Sequence, residues 1–121
     1  MCALLQKSSR WDASAAPAQK VLDLATIDGA RALRAEDRLG SIEAGKTADI
    51  AVLDLHRAHA TPFNRENLIR HLVYTCRGSD VRYTIVGGQV IVDDGSVTTV
   101  DEAAVVDRVQ EIASELYGVK A

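Results

Sequence analysis

The string Gly40-Ser41-Ile42-Glu43-Ala44-Gly45-Lys46-Thr47 matches the G-x-x-x-x-G-K-[ST] pattern of a phosphate-binding loop letter for letter. In such a loop, backbone N–H groups and the N-terminus of the next helix surround the phosphates, and the lysine adds a point charge. That chemistry needs a buried strand before the loop and a helix after it. Here Arg34-Ala35-Glu36-Asp37-Arg38 precedes it, too polar for a central strand, and Asp49 to Leu55 (DIAVLDL) follows with the pattern of a strand. Glu43, inside the loop, would repel phosphate. The plainer reading is a turn joining two β segments, and nucleotide binding through Gly40–Thr47 is not expected.

His56 and His59 form an H-x-x-H pair, with His71 further on. A metal site needs three or four converging ligands, and no cysteine or carboxylate beyond Asp54 stands at ligand spacing, so solvated loop histidines are the expectation. Asp93-Asp94 resembles a catalytic carboxylate pair, but ahead of Gly95 the two read as turn formers. Cys76 beside Arg77 could be an activated thiolate. With no histidine at fixed spacing, a structural cysteine is the simpler reading. No serine sits in a G-x-S-x-G elbow, so serine hydrolase chemistry has no support.

The elements that must position these groups follow from local pattern. Met1 to Lys7 reads as the apolar end of a helix. Pro17 suits the first turn of a second helix, which carries Val21, Leu22, Leu24 and Ala25 and ends near Ala25 or Thr26. Asp28-Gly29 is expected to interrupt it, with Ala30, Ala32 and Leu33 on a short helix beyond. Gly40 and Gly45 bracket a turn. His56 to Asn64 is expected as a loop, and Glu66 to Val73 as a short helix or a strand, its start favouring helix. Val81, Tyr83 and Ile85 alternate with Arg82 and Thr84, and Gly87-Gly88 then leads to Val90-Ile91-Val92, the pattern of a hairpin on a two-residue turn. Asp94-Gly95 marks another turn, and Ser96 to Thr98 a further short strand. Thr99 and Glu102 are spaced as a capping box. Behind them Val105, Val109, Ile112 and Leu116 recur at spacings of 4, 3 and 4, one apolar stripe of a helix that Gly118 ends. Helices, hairpin-connected strands and a last helix argue for an α+β fold.

Composition bounds the function. The chain has 121 residues, too few for a complete (β/α)8 barrel of about 250 residues. Hydrophobic residues are 47% and charged residues 26%, a globular composition. A net charge of −3 gives no electrostatic footprint for nucleic acid or an anionic membrane. The two cysteines, Cys2 and Cys76, form no C-x-x-C pair. A Cys2–Cys76 disulfide is formally possible, but two free thiols are the expectation. No run approaches the ~20 apolar residues of a membrane span, and the N-terminus is too short in apolar residues for a signal peptide. A cytoplasmic location is therefore expected.

Three ordered blocks then carry a resemblance. Leu39 to Asp54 (LGSIEAGKTADIAVLD) resembles the GSLexGKxADlvvld segment of the amidohydrolase superfamily, which makes the phosphate-loop match a coincidence. Val21 to Leu33 is similar to its aLrmATingAraL helix pair. His71-Leu72-Val73-Tyr74, Gly78-Ser79-Asp80-Val81 and Ile85 to Val90 resemble its closing hLVy…gsdV…viVdGrvv block. Leu4-Leu5-Gln6-Lys7 is similar to the helix after the last barrel strand in the branch of cytosine deaminase-like, methylthioadenosine/adenosylhomocysteine deaminase-like and triazine chlorohydrolase-like enzymes.

The resemblance implies the last helices of a (β/α)8 barrel over residues 1–35, β-subdomain strands over 36–99, and a C-terminal helix over 100–121 packing on them. The strands would be the C-terminal half of the β-sandwich-like subdomain beside the barrel. It implies hydrolytic deamination or dechlorination of a heterocyclic substrate, with Zn or Fe activating water in the intact enzyme. The family's ligand motifs match none of His56, His59 and His71, so no catalytic, metal or cofactor residue is assigned. The residues that match are structural: Gly40, Gly45, Lys46, Asp49 and Gly88. A C-terminal fragment, inactive alone, is the expectation. A non-catalytic self-associating module is the alternative. Open strand edges and an uncovered helix face are expected to favour a homo-oligomer or association with the missing barrel portion, with no nucleic-acid or membrane partner.

Overall fold

A computed structural model describes residues 2–118, the side chain of Cys2 excepted; Met1 and residues 119–121 of the expected terminal segments lie outside that description. Three helices come first: α1 (Cys2–Arg10), α2 (Ala18–Ala25) and α3 (Ile27–Ala32). Pro17 stands at the N-terminal boundary of α2, where its missing N–H costs nothing. Helix α2 ends at Ala25 with Thr26 as its cap, as expected, whereas Asp28-Gly29, expected as the interruption, lie inside α3. The Thr26 hydroxyl donates to the Leu22 carbonyl at 2.7 Å and its backbone turns to φ −126°, ψ −102°. Gly29 serves a different need: a Cβ there would stand 3.0 Å from the Leu24 carbonyl, so glycine lets α3 fold back against the end of α2.

Strand β1 (Ile50–Leu53) follows, then a single 3-10 turn at Ala58–Ala60 in the expected loop, then α4 (Leu68–Tyr74) packed on α2. Asn64 starts the run into α4, its side-chain oxygen accepting the N–H groups of Glu66 and Asn67 at 2.9 and 3.0 Å. Strands β2 (Val81–Val86), β3 (Gln89–Asp93) and β4 (Ser96–Val97) complete one antiparallel sheet in the order β1-β2-β3-β4. Ile50 pairs with Ile85 and Val86 with Gln89. Gly87 and Gly88 both take positive φ, 57° and 82°, as the two-residue turn of a twisted hairpin requires. The expected α+β arrangement with a small antiparallel sheet and a closing helix is therefore present.

Helix α5 (Glu102–Tyr117) closes the chain. Gly118 ends it at φ 64°, its N–H on the Ser114 carbonyl, as the sequence predicts. The N-terminal cap differs from the expected Thr99–Glu102 box. Asp101 is the cap, accepting the Ala104 N–H at 3.0 Å, while the Glu102 carboxylate reaches back to the Val97 N–H at 3.2 Å. A carboxylate at the cap also faces the positive end of the helix, which a threonine hydroxyl does not exploit. Tied to the sheet through Glu102, the helix leaves its apolar stripe in solvent: Val105, Val109 and Leu116 are 52%, 60% and 72% exposed. The buried apolar residues among those described are Ala3, Ala30, Ala35 and Ala60, so no large side chain anchors a core. Between the helices and β1 runs an apolar groove of about 810 Å³, lined by Leu22, Ala30, Leu33, Leu39, Ile50 and Leu53.

Candidate functional site

The residues matched to the sequence pattern converge on two junctions, one seating the loop before β1 on α3 and the other tying the end of that loop to the β2–β3 hairpin. Gly40, at φ 88°, lies against α3: a Cβ there would come within 2.8 Å of both the Ala30 Cβ and the Ile27 Cα. Gly45, at φ 92°, turns the chain in open space. Lys46 Nζ donates to the Glu36 carbonyl and the Ser41 hydroxyl, each at 2.6 Å, and pairs with the Glu43 carboxylate at 3.3 Å. The Ser41 hydroxyl in turn donates to Glu43 at 2.5 Å. That bond, with Lys46 beside it, holds the Glu43 carboxyl below its ordinary pKa. The second junction lies at the other end of the motif. Asp49 Oδ1 accepts the Gly87 N–H at 2.7 Å, and the Ala48 carbonyl accepts the Gly88 N–H at 3.0 Å.

This geometry decides what the Gly40–Thr47 loop can do. An ammonium has three donors, and those of Lys46 are taken by a carbonyl, a hydroxyl and a carboxylate. The loop leads into β1, so the helix that must follow a phosphate loop is absent. The cleft beside it, about 570 Å³, carries the carboxylates of Asp23, Glu36 and Glu43 as well as Arg31 and Lys46. The lysine stitches a turn closed; it is not held ready for phosphate.

The histidines separate. His59 is exposed in its loop, as expected, but its ring is not free: its Nε2 lies 2.8 Å from Oδ2 of the buried Asp80, 21 positions away. The same carboxylate oxygen accepts the Arg77 N–H at 2.8 Å, and the Asp80 carbonyl accepts the Asp54 N–H at 2.8 Å. The His59 bond, then the Arg77 N–H, hold the Asp80 carboxyl below its ordinary value. The pair thus staples the loop after β1 to the turn before β2. Sequence reasoning missed it because contact between His59 and Asp80 is tertiary; the one available signal was the Gly78-Ser79-Asp80 turn directly before a strand. His56 stacks edge-on against Phe63 at 5.7 Å between ring centres. The His71 Nδ1 is buried with no hydrogen-bond partner among the described residues. Burial, and Asp80 nearby, push the Cys76 thiol up, so this free cysteine is protonated at neutral pH and not an activated thiolate. Asp94 takes φ 46° in the turn between β3 and β4 and pairs with Arg82 at 2.7 Å. Among the described residues no three His, Cys, Asp or Glu side chains converge as a metal would require, and no helix is long and apolar enough to cross a membrane.

Comparison with known proteins places this frame. The model of the Amidohydrolase family matches residues 1–91. The 5'-deoxyadenosine deaminase of Methanosarcina barkeri is 43% identical over 114 residues, covering 94% of this chain and 26% of that protein. The 5-methylthioadenosine/S-adenosylhomocysteine deaminase of Syntrophobacter fumaroxidans is 40% identical over 112 residues, covering 93% and 25%. Among solved structures, an adenosine deaminase from Xanthomonas campestris with bound zinc superposes with a TM-score of 0.87 at 31% identity, covering 98% of this chain and 26% of that one. The chain spans about a quarter of the length of the relatives it matches. With three-quarters of its own length inside the family match, this chain belongs to the amidohydrolase family.

Proposed function

We propose that the chain is the C-terminal part of a hydrolytic deaminase of adenine-bearing nucleosides and is inactive without the remaining three-quarters or so of its relatives' length. The observation that carries the reading is 43% identity sustained over 114 residues with a 5'-deoxyadenosine deaminase. The reaction exchanges the exocyclic amine of adenine for a water oxygen and releases ammonia. A zinc ion, such as the zinc-bound relative carries, would supply activation of water in the intact enzyme. The residues of this chain do not fit that metal: His59 Nε2 is taken by Asp80, the His71 Nδ1 is sealed from solvent, and among the described residues no three His, Cys, Asp or Glu side chains converge. No chemical step is therefore assigned to them. Their part is mechanical. Gly40 seats the loop on α3, Lys46 closes the loop on Glu36, Ser41 and Glu43, and Asp49 ties its end to the hairpin tip.

Co-expression with the complementary segment of the Methanosarcina barkeri relative tests the proposal, with ammonia release from 5'-deoxyadenosine as the readout. Turnover by the pair and none by either part is expected. Turnover by this chain alone, or a stable complex that releases no ammonia, would overturn it. The alternative, a self-associating module without catalysis, is favoured by one observation: the exposed stripe of α5.

A further inference from the structure

The stripe on α5 has a register and a charge pattern that specify its partner. Val105, Val109, Ile112 and Leu116 occupy the alternating 4-3-4 positions that form the seam between two packed helices. All four stand in solvent, Ile112 the least exposed at 40%. Val106 and Ala113 flank one side of the seam, and Arg108 and Glu115 flank the other. In the structure Arg108 pairs with Glu111 at 2.9 Å, but both side chains are about two-thirds exposed, so that bond is readily exchanged.

From this pattern we infer that α5 is a self-association surface that takes a second copy of itself in antiparallel orientation. Run antiparallel, Val105 meets Leu116 of the second copy and Val109 meets Ile112, giving four apolar layers related by a two-fold axis. Flanking positions then meet their own kind. Arg108 faces Glu115 of the other copy, and symmetry repeats that ion pair. On the opposite flank Val106 faces Ala113, a large side chain against a small one. The parallel arrangement brings Arg108 opposite Ala113 and forfeits the charge match. An isologous helix pair of this kind closes on itself and leaves no further copy to add. The surface is separate from both junctions that hold the fold, so it acts whatever reaction the chain belongs to.

Charge reversal tests the inference without touching a buried residue. Sedimentation equilibrium of the 121-residue chain at micromolar concentration is expected to give twice the monomer mass. Arg108→Glu and Glu115→Arg each place like charges opposite one another twice, and each is expected to raise the dimer dissociation constant at least tenfold. An equimolar mixture of the two variants restores both ion pairs and is expected to dimerise again, as is the double variant R108E/E115R. Circular dichroism confirms that α5 stays helical in each variant. A monomeric wild-type chain overturns the inference. So does a dimer indifferent to both reversals, which would place association on another surface such as the open edge of β1, and so does a mixture that stays monomeric.

Discussion

Asp49 Oδ1 and the Gly87 N–H meet at 2.7 Å across 38 positions of sequence, and this bond fixes the tip of the β2–β3 hairpin to the start of β1. It explains why an aspartate precedes the strand. Replacing Asp49 by alanine is expected to lower stability by about 1 kcal/mol, the net worth of one side-chain hydrogen bond. Asparagine keeps the acceptor and should restore most of the loss. Urea denaturation of the two variants against the parent chain reads the difference.

Gly40 and Gly45 share a positive φ and differ in surroundings, which separates backbone strain from steric contact. Gly45→Ala meets no atom within 4 Å and is expected to cost about 1 kcal/mol through its φ alone. Gly40→Ala drives a methyl to 2.8 Å from Ala30 and Ile27 and should cost at least about 2 kcal/mol more, as overpacking of a tight contact does. Thermal melting of both variants measures the gap, and equal losses would contradict the packing of the loop on α3.

Lys46 is expected to behave as a structural residue. Lys46→Met leaves the Glu36 carbonyl and the Ser41 hydroxyl without their partner and should destabilise the chain by about 1–3 kcal/mol. Millimolar ATP with magnesium should leave the melting temperature of the parent chain unchanged. A rise of several degrees would mean that the loop binds phosphate after all.

The His59–Asp80 staple has a defined pH signature. The folded-state pKa of Asp80 is depressed, so its contribution is fully present above the ordinary carboxylate range near 4 and is lost as pH falls through the lower folded value. Unfolding midpoints should therefore drop on acidification from about pH 5 downward. Asp80→Asn should be less stable than the parent at neutral pH and lose less on acidification. A parallel decline of the two proteins would contradict the pairing.

What the sequence made legible was local. The Gly87-Gly88 turn, the Asp94-Gly95 turn and the Gly118 helix end follow from backbone demands that neighbouring residues announce. The end of α2 at Ala25 was legible too, but the start of α3 was placed beyond Asp28-Gly29 because Gly29 looks like a poor helix residue, whereas α3 already begins at Ile27. The cap of α5 moved to Asp101 because Glu102 is drawn to Val97, a β4 contact invisible in a capping pattern. His59 was read with His56 because they are near in sequence; its partner Asp80 arrives only through the packing of two loops. The junction residues were legible through resemblance alone, since nothing in the spacing of Lys46 and Asp49 announces a carbonyl at Glu36 or a hairpin tip at Gly87.

The central proposal is that this chain supplies the frame of a hydrolytic deaminase and not its chemistry. The most direct measurement is zinc content together with ammonia release from 5'-deoxyadenosine by the purified chain, dialysed against zinc. The expected result is far less than one zinc per chain and no ammonia above the uncatalysed rate. One tightly held zinc per chain, with turnover that a chelator abolishes, would contradict it.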